Sequence, residues 1–241
     1  VVIWTTTPWT MPGNRAVAFS KNTNYVLLKI TKTDENSLAM INQKIIIAKD
    51  LLKEVTHNCK IIEWEELLEI KGEKFQDVVL SHPLSDHGYT HNVRMLPAEF
   101  VTVDQGTGFV HIAPGHGEDD YFLGKQYNIE VPETLEGNGK LLEHLPLFGG
   151  MHVLRDNSKI ADIMSEKNSL IGRGELIHSY PHSWRSKAPL VFRNTPQWFI
   201  SMNENNLKEI ALKEIEKTKF YPLAGKQRLY SMIENRPDWC L

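Results

Sequence analysis

A glycine-rich stretch in the middle of the chain constrains the fold more than any other part of it. Two apolar, β-branched runs, residues 100–103 and 109–112, flank a short polar connector with two glycines. This pattern is typical of a β-hairpin. The Ala-Pro-Gly-His-Gly loop at 113–117 then leads to acidic residues, which suit the N-terminus of a helix. The sequence therefore predicts a hairpin, a tight loop and a helix over 118–127, with Asp119 as the helix N-cap.

The rest of the chain alternates short strand-like runs with amphipathic stretches. Apolar runs predict strands, a buried one at residues 1–4 and others at 25–30 and 78–80. Helical spacing of apolar residues predicts helices at residues 48–57, 157–169, 205–217 and 227–235. The acidic residues 63–69 indicate a solvated face, and the glycine- and proline-rich residues 132–150 indicate a loop. Many short strands with scattered helices favour a mixed α/β, β-rich domain with a curved or closed sheet.

Charge and cysteine content narrow the class of protein. The formal net charge of −3 does not suit a protein that coats nucleic acid, so any RNA contact must use a local basic patch. The two cysteines, Cys59 and Cys240, form no metal-type pair and predict no disulfide framework, which favours a reducing, cytoplasmic compartment. No apolar run approaches the ~18 residues of a membrane span. Because the chain starts with Val1 in an apolar run, we expect a piece of a longer protein.

Three consecutive threonines, Thr5, Thr6 and Thr7, follow Trp4. Hydroxyls at the end of a strand alternate between its faces, so at least one can point into a cleft. A hydroxyl both donates and accepts hydrogen bonds, and it can therefore hold a ribose oxygen or a water. Threonine is also common in ordinary strands, so the pattern alone leaves a purely structural role open.

His111 and Asp120 are candidates for chemistry in the glycine-rich stretch. They are separated by nine residues and one turn, which can bring an imidazole and a carboxylate to one pocket. A structural histidine is the alternative for His111, and spacing alone does not decide for Asp120. His116 and Asp119 could join them as metal ligands by residue type. Their spacing matches no metal signature, so we expect no metal.

Residues 178–199 interleave basic and aromatic side chains, a composition that suits phosphates and stacked bases. The alternative is that the aromatic residues are core and the basic ones merely solvated. The candidates for contact with RNA are Arg185, Lys187 and Arg193.

Together and in this order, these stretches resemble the isoleucine–tRNA synthetases, which are class I aminoacyl-tRNA synthetases. Residues 4–16 look like the threonine-rich motif of that family, with Thr7 where the valine and leucine relatives carry Arg. Residues 106–121 resemble its second editing motif. Two further landmarks, residues 178–182 with 195–199 and residues 236–240, extend the resemblance over the whole chain.

The resemblance implies an editing domain, also called connective polypeptide 1, with a small closed β-barrel core decorated with helices. Its implied reaction is hydrolysis of valine wrongly attached to isoleucine tRNA, with valyl-adenylate as a further implied substrate. His111 would discriminate by size and Asp120 would hold the α-ammonium. The implied adenosine, ester or water contacts are Thr6, Thr7 and Asn14, with Trp9 near the amino-acid side chain and Thr5, His116 and Asp119 as further substrate contacts.

The resemblance also sets expectations for cofactors and organisation. Ser183 and Ser186 stand where some relatives have zinc-binding cysteines, so we expect no zinc there, while Gly13 for the usual Ala is a minor change. The ATP-binding signatures His-Ile-Gly-His and Lys-Met-Ser-Lys-Ser are absent, so ATP and Mg²⁺ would belong to the parent enzyme. We expect residues 1–241 to be one editing domain, a monomer, whose residues 178–241 form a peripheral tRNA-contacting and return segment. The alternatives are a tRNA-binding module without catalysis, a free-standing ester hydrolase and a valine-type editing domain.

Overall fold

The computed structural model describes residues 1–177 and 179–241, which divide into two units, Val1–Asn194 and Thr195–Leu241. The strands of the first unit are β1 (Ala16–Phe19), β2 (Asn24–Thr33), β3 (Lys44–Ala48), β4 (Ile61–Lys71), β5 (Val79–Ser81), β6 (Asn92–Pro97) and β7 (Phe109–Ile112). Its α-helices are α1 (Leu52–Asn58), α2 (Glu118–Gln126) and α3 (Asn157–Glu166). Short 3-10 helices cover Pro8–Gly13, Lys49–Leu51, Gly72–Phe75 and Ser85–His87.

The first sheet has the strand order β5-β6-β1-β7, and β1 is its central strand. β1 runs parallel to β6 and antiparallel to β7, with Val17 opposite His111. Side chains alternate across the sheet: Val17 and Phe19 enter the main core, while Ala16 and Ala18 pack on the other side with a residue of α2. Both faces of β1 are therefore buried.

The second sheet is antiparallel with the order β3-β2-β4, and the main core lies between it and the first sheet. Phe19 of β1 shares this core with Tyr25 and Leu28 of β2, all of them inaccessible to solvent. The Ala48 amide at the end of β3 donates to the Thr107 carbonyl just before β7, at 2.8 Å. The mixed α/β prediction is confirmed. The closed barrel stays a prediction, because in the described part of the chain the two sheets have separate strand ladders.

A second apolar cluster supports the 3-10 helix at Pro8–Gly13. Trp9 and Met11 enter this cluster, where they join Phe148 and residue Ile160 of α3. His82 also stabilises this 3-10 helix, because its Nε2 donates to the Met11 carbonyl at 2.9 Å. The segment that follows the three threonines is therefore held in place by packing and by a buried hydrogen bond.

The second unit contains a two-stranded ladder and a pair of helices. Its elements are β8 (Phe199–Ile200), α4 (Leu207–Lys217), α5 (Ala224–Glu234) and β9 (Trp239–Cys240), with a 3-10 helix at Glu204–Asn206. β8 and β9 pair antiparallel. The predicted helices at 205–217 and 227–235 are confirmed to within a few residues. The predicted peripheral segment at 178–241 stays a prediction, and its first residue, His178, lies outside the described residues.

The predicted hairpin at residues 100–112 is wrong. β7 pairs with β1, whereas residues 100–103 belong to no strand. The side chains of this run go to different places: Val101 packs with Ala16 and Leu123 in the third cluster, and Val103 packs against the main core. Because these side chains are buried in two separate clusters, the run does not form the strand ladder that its alternating pattern predicts.

Other predictions of elements had mixed outcomes. The buried strand predicted at residues 1–4 is wrong, because these residues form no strand and Trp4 is 46% exposed. The Val2 amide donates to the Ile46 carbonyl of β3, but this contact does not extend into a strand ladder. Residues 63–69 are solvated as expected, yet they form most of β4. The predicted strands at 25–30 and 78–80 and helices at 48–57, 118–127 and 157–169 are confirmed. Among the described residues, none of the helices is both long and apolar enough to cross a membrane.

Candidate active site

A cleft of about 340 Å³ opens where the threonine run meets β7 and the loop before α2. Six of the residues expected at a functional site line it: Thr5, Thr6, Thr7, His111, His116 and Asp120. Several other lining residues are not among the site residues expected from the sequence, among them Thr10, Phe100, Thr102 and Gln105. Phe100 and Gln105 belong to the run mistaken for a hairpin. Thr10 could have been predicted from the sequence, since it stands three residues after Thr7 in a turn that begins with a proline.

The threonine run forms a tight turn that leaves one hydroxyl free. The Thr7 amide donates to Thr5 Oγ1 at 3.0 Å, and the Thr7 carbonyl accepts bonds from the Thr10 amide and hydroxyl, both at 2.9 Å. Thr6 is exposed, and its hydroxyl makes no hydrogen bond with any of residues 1–177 and 179–241. The turn therefore presents the Thr6 hydroxyl to the cleft with its hydrogen-bonding capacity unused.

His111 is a buried wall of the cleft, and its hydrogen bonds fix its tautomer. The Asn14 side-chain amide donates to the Ala16 carbonyl at 3.0 Å, so its nitrogen also faces His111 Nδ1, at 2.6 Å. Nδ1 is therefore an acceptor, and Nε2 carries the proton and donates to Thr10 Oγ1 at 2.9 Å. Burial lowers the pKa of His111 to about 3. The ring is neutral at pH 7 and both of its nitrogens are occupied.

Asp120 supplies a carboxylate at the first turn of α2. Its Oδ2 accepts the Ala113 amide at 2.9 Å, and a Cβ on Gly117 would come within 2.9 Å of its carboxyl carbon. The pKa of Asp120 is raised to about 6: burial of the carboxyl group raises it most, the hydrogen bond from the Ala113 N–H partly opposes this, and the neighbouring Asp119 adds a smaller upward effect. The group is mostly ionised at pH 7, and it is an anion poised to pair with a cation.

His116 closes the same side of the cleft. Its Nδ1 donates to the Phe192 carbonyl at 3.0 Å, and its Nε2 accepts the Thr134 hydroxyl at 2.6 Å. The Trp9 ring meets it edge to face, with centroids 4.9 Å apart. Burial lowers the pKa of His116, so it too is neutral near pH 7.

Three of the expected site residues do not line the cleft. Trp9 is 4% exposed and Asn14 is 3% exposed, and they contact the cleft residues His116 and His111 from behind. Asp119 points to solvent at the second position of α2. The prediction that Asp119 caps this helix is wrong, because the N-cap is Gly117 and no side chain caps it.

The expected RNA-contacting residues lie away from the cleft. Arg185 is exposed and lies over the exposed Trp184 ring, 4.9 Å from its centroid, and Lys187 is exposed beside them. Arg193 is tethered, since its guanidinium donates to the Leu135 carbonyl at 2.9 Å.

The two serines expected in place of zinc ligands lie in the same exposed segment. The Ser186 amide donates to Ser183 Oγ at 3.2 Å, so the pair forms a local turn. Within residues 1–177 and 179–241, no three His, Cys, Asp or Glu side chains are grouped to hold a metal ion.

Solved structures resemble this fold. GlLeuRS-CP1 matches with a TM-score of 0.52 at 18% identity, over 71% of this chain and 83% of that one. The editing domain of the P. falciparum cytosolic leucyl-tRNA synthetase matches with a TM-score of 0.52 at 14% identity, over 68% of this chain and 76% of that one. The mixed α/β fold is therefore similar to that of editing domains of class I synthetases.

Curated sequences give closer relatives. The chain is 48% identical to an isoleucine--tRNA ligase of Pelagibacter ubique and 43% identical to one of Gluconobacter oxydans, in each case over its whole length. It spans 26% of the length of either relative. The family model for class I tRNA synthetases (I, L, M and V) matches residues 10–241. The chain belongs to this family of class I tRNA synthetases.

Proposed function

We propose that this chain is the editing domain of an isoleucine–tRNA ligase and that it hydrolyses the ester joining valine to isoleucine tRNA. The observation that carries the proposal is the cleft itself, in which a partly buried carboxylate, a neutral imidazole wall and a threonine turn meet. The relatives' names support the parent enzyme, and the fold supports the editing role. Discrimination by a second site is needed because one methylene is worth only ~1–3 kcal/mol; the isoleucine enzyme is a standard example of this limit.

Asp120 binds the α-ammonium of the misattached amino acid. Its Oδ2 is held by the Ala113 amide, which aims the carboxylate and leaves Oδ1 available. A charge-assisted hydrogen bond in a partly buried site is stronger than a neutral one, and burial of the carboxylate at this position costs folding energy that a bound cation offsets. Asp119 is exposed and serves no such role.

His111 forms the wall of the cleft that limits the size of the amino-acid side chain. Its ring is held at both nitrogens, by Asn14 and by Thr10, so it does not rotate to make room. A wall held at two points rejects an extra methylene more sharply than a mobile side chain does. Trp9 and Asn14 act from behind, through His116 and His111, rather than by touching the substrate.

Hydrolysis uses a positioned water rather than an acyl-threonine. A threonine nucleophile needs an adjacent base, and both nitrogens of His111 are already committed. The free Thr6 hydroxyl binds the water or a ribose oxygen, while Thr5 and Thr7 are tied into their turn and shape the floor. The free hydroxyl of the terminal ribose assists the attack.

The remaining assignments concern the whole enzyme. We propose that the exposed Arg185 and Lys187 contact tRNA, that Arg193 supports them through its bond to Leu135, and that residues 178–241 lead back to the remainder of the synthetase. ATP and Mg²⁺ serve the ligase reaction elsewhere in the parent enzyme, a cytoplasmic monomer, and no zinc binds at Ser183 and Ser186. The Ala48–Thr107 bond, which links β3 to the start of β7, supports a sheet that closes towards a barrel.

A side-by-side assay of valyl- and isoleucyl-tRNA for isoleucine tests this proposal. We expect the chain to release valine at least about tenfold faster than isoleucine, the lower limit set by one methylene. Asp120→Asn should slow valine release about tenfold or more, because it removes a charge-assisted contact. Asp119→Asn, the exposed neighbour, should stay within about twofold of the wild type.

Other outcomes of the assay would point to other functions. Equal release of both amino acids, or full activity of Asp120→Asn, contradicts the proposal. Binding of tRNA without hydrolysis, by this chain and by the full-length synthetase alike, indicates a binding module. Turnover of small esters without RNA indicates a free-standing hydrolase.

A further inference from the structure

We propose that His116 is a positioning residue that fixes the Asp120 carboxylate by fastening the 113–117 loop to two distant segments. The inference rests on the proposed function for its effect on hydrolysis. Its structural part, the control of Asp120 by His116, is measured separately.

The loop and the carboxylate form one unit. Asp120 Oδ2 is bonded to the Ala113 amide at the start of the loop, and its carboxyl group lies against Gly117 at the end of it. A displacement of either end of the loop therefore moves the carboxylate. His116, between these ends, is the residue of the loop whose side chain anchors it to segments beyond it.

The two anchors of His116 come from parts of the chain far away in sequence. Thr134 lies in the irregular stretch after α2 and is 2% exposed, and its hydroxyl bonds to His116 Nε2. Phe192 lies in the basic and aromatic segment, and its carbonyl accepts His116 Nδ1–H. One neutral imidazole therefore uses both of its nitrogens, Nδ1 as donor and Nε2 as acceptor, to join the loop to these two segments.

Two glycines allow close packing around His116 and its loop. A Cβ on Gly13 would stand 3.2 Å from His116 Cδ2, so the glycine allows the 3-10 helix to press directly on the ring. The loop itself is held at Gly115, where a Cβ would meet Asn194 Oδ1 at 2.8 Å. Glycine at position 13 therefore leaves space for the His116 ring, which a Cβ would crowd.

Two histidine variants separate the two anchors. His116→Asn keeps a donor near the position of Nδ1, and His116→Gln keeps an acceptor near the position of Nε2. His116→Phe removes both bonds and retains a flat ring. Thr134→Val removes the hydrogen bond to His116 Nε2 at a residue that does not line the cleft. It replaces His116→Phe in the test if that variant does not fold. The exposed His57→Gln of α1 is the control.

The first readout is the titration of the Asp120 carboxyl group, followed by carbon NMR in the free protein. We expect its midpoint to fall from about 6 towards the ordinary value in His116→Phe and Thr134→Val, because a loosened loop exposes the group whose burial raises the pKa. His57→Gln should leave the midpoint unchanged. An unchanged midpoint in both variants overturns the proposal whether or not the chain edits tRNA.

The second readout is the hydrolysis of valyl-tRNA. His116→Phe should raise KM about tenfold with kcat within about threefold, the pattern of lost ground-state binding. His116→Asn and His116→Gln should each restore part of the loss. A lowered melting temperature with an unchanged KM would mean that His116 has a purely structural role. A shifted midpoint with no hydrolysis by the wild type would keep the positioning role and reject the editing function.

Discussion

The ionised Asp120 carboxylate binds the α-ammonium and destabilises the fold, and both effects depend on pH. Its pKa is raised to about 6, so the carboxylate that holds the α-ammonium forms as the pH rises through 6. We expect kcat/KM for valyl-tRNA hydrolysis, which reports the free protein, to show a rising limb centred near this value. Asp120→Asn should lack the inflection and Asp119→Asn should keep it. A profile without the inflection in the wild type would remove Asp120 from the site.

The same group predicts a more stable and less active variant. A folded-state pKa above the ordinary 3.8 contributes stability at low pH that is lost as the pH rises through about 6. At pH 7 the charged carboxylate therefore destabilises the fold, and Asp120→Asn should raise the free energy of unfolding by about 1–2 kcal/mol. Urea denaturation at pH 7 and pH 5 measures this gain, which should be about halved at pH 5.

His111 predicts a change in specificity. His111→Ala removes the wall and leaves room for one more methylene, so isoleucyl-tRNA should be hydrolysed within about tenfold of the valyl rate. The variant should also lose about 2–4 kcal/mol of stability, because it leaves a cavity and unpairs Asn14 and Thr10. Continued protection of isoleucyl-tRNA by a folded His111→Ala variant would show that another residue sets the size limit.

Individual site residues could be predicted from the sequence where the residue type has few roles in proteins. Histidine and aspartate in a glycine-rich loop stand out in any sequence, and the structure brings His111, His116 and Asp120 to one cleft. The direction of a side chain in a turn is set by tertiary packing instead. Trp9 and Asn14 were expected to touch substrate, but they face away from the cleft because the second apolar cluster and the Ala16 carbonyl hold them. Phe100 and Gln105 could not be foreseen, since their segment was predicted to be a β-hairpin.

At the level of elements, the apolar pattern predicted most helices and failed where two partners compete for one segment. Residues 100–103 alternate like a strand, yet Val101 and Val103 serve different clusters. β4 escaped notice because its side chains are mostly exposed, and its pairing with β2 depends on backbone hydrogen bonds. A long-range ladder of this kind leaves no mark on local periodicity.

The start of β7 depends on one glycine, which a matched pair of variants can demonstrate. Gly108 has φ +80°, and a Cβ there would stand 2.3 Å from the Cβ of Ala48, whereas Gly106 has φ +83° and its nearest neighbour would be 3.8 Å away. Gly106→Ala should therefore cost about 1 kcal/mol for backbone strain alone. Gly108→Ala should cost about 2–4 kcal/mol, because it adds a steric clash with β3. Similar costs in denaturant titrations would contradict this account.

At the scale of the whole first unit, side chains from the first sheet, from the loops beside it and from the second apolar cluster meet at the 3-10 helix at Pro8–Gly13 and at Asn14 after it. The mixed α/β class followed from the sequence because the density of short strands reflects the number of buried faces. The order of strands did not, since β1 joins a parallel neighbour and an antiparallel one through contacts distant in sequence. What surrounds the 3-10 helix was also unforeseen. His82 donates to Met11, His91 to Asn14 and His111 to Thr10, and His116 abuts Gly13.

These four histidines predict how the stability of the molecule responds to acid. Burial lowers the pKa of each, to about 4 for His82 and about 3 for His111. A folded-state pKa below the ordinary 6.5 contributes stability above 6.5 that is lost as the pH falls, because the unfolded chain takes up protons first. Each proton adds about 1.4 kcal/mol per pH unit to that loss, and Asp120, whose pKa is raised, opposes part of it below pH 6.

Thermal unfolding between pH 7.5 and 4.5 measures this response. We expect the melting temperature to fall steeply below pH 6.5 and the site to be lost with the fold, since the same histidines hold the threonine turn. His82→Gln keeps a donor for the Met11 carbonyl and cannot be protonated, so its slope should be smaller by about one proton. The exposed His57→Gln of α1 is the control. A slope that His82→Gln leaves unchanged would mean that the folded turn tolerates a charged His82, and it would contradict the part of the acid response assigned to this histidine.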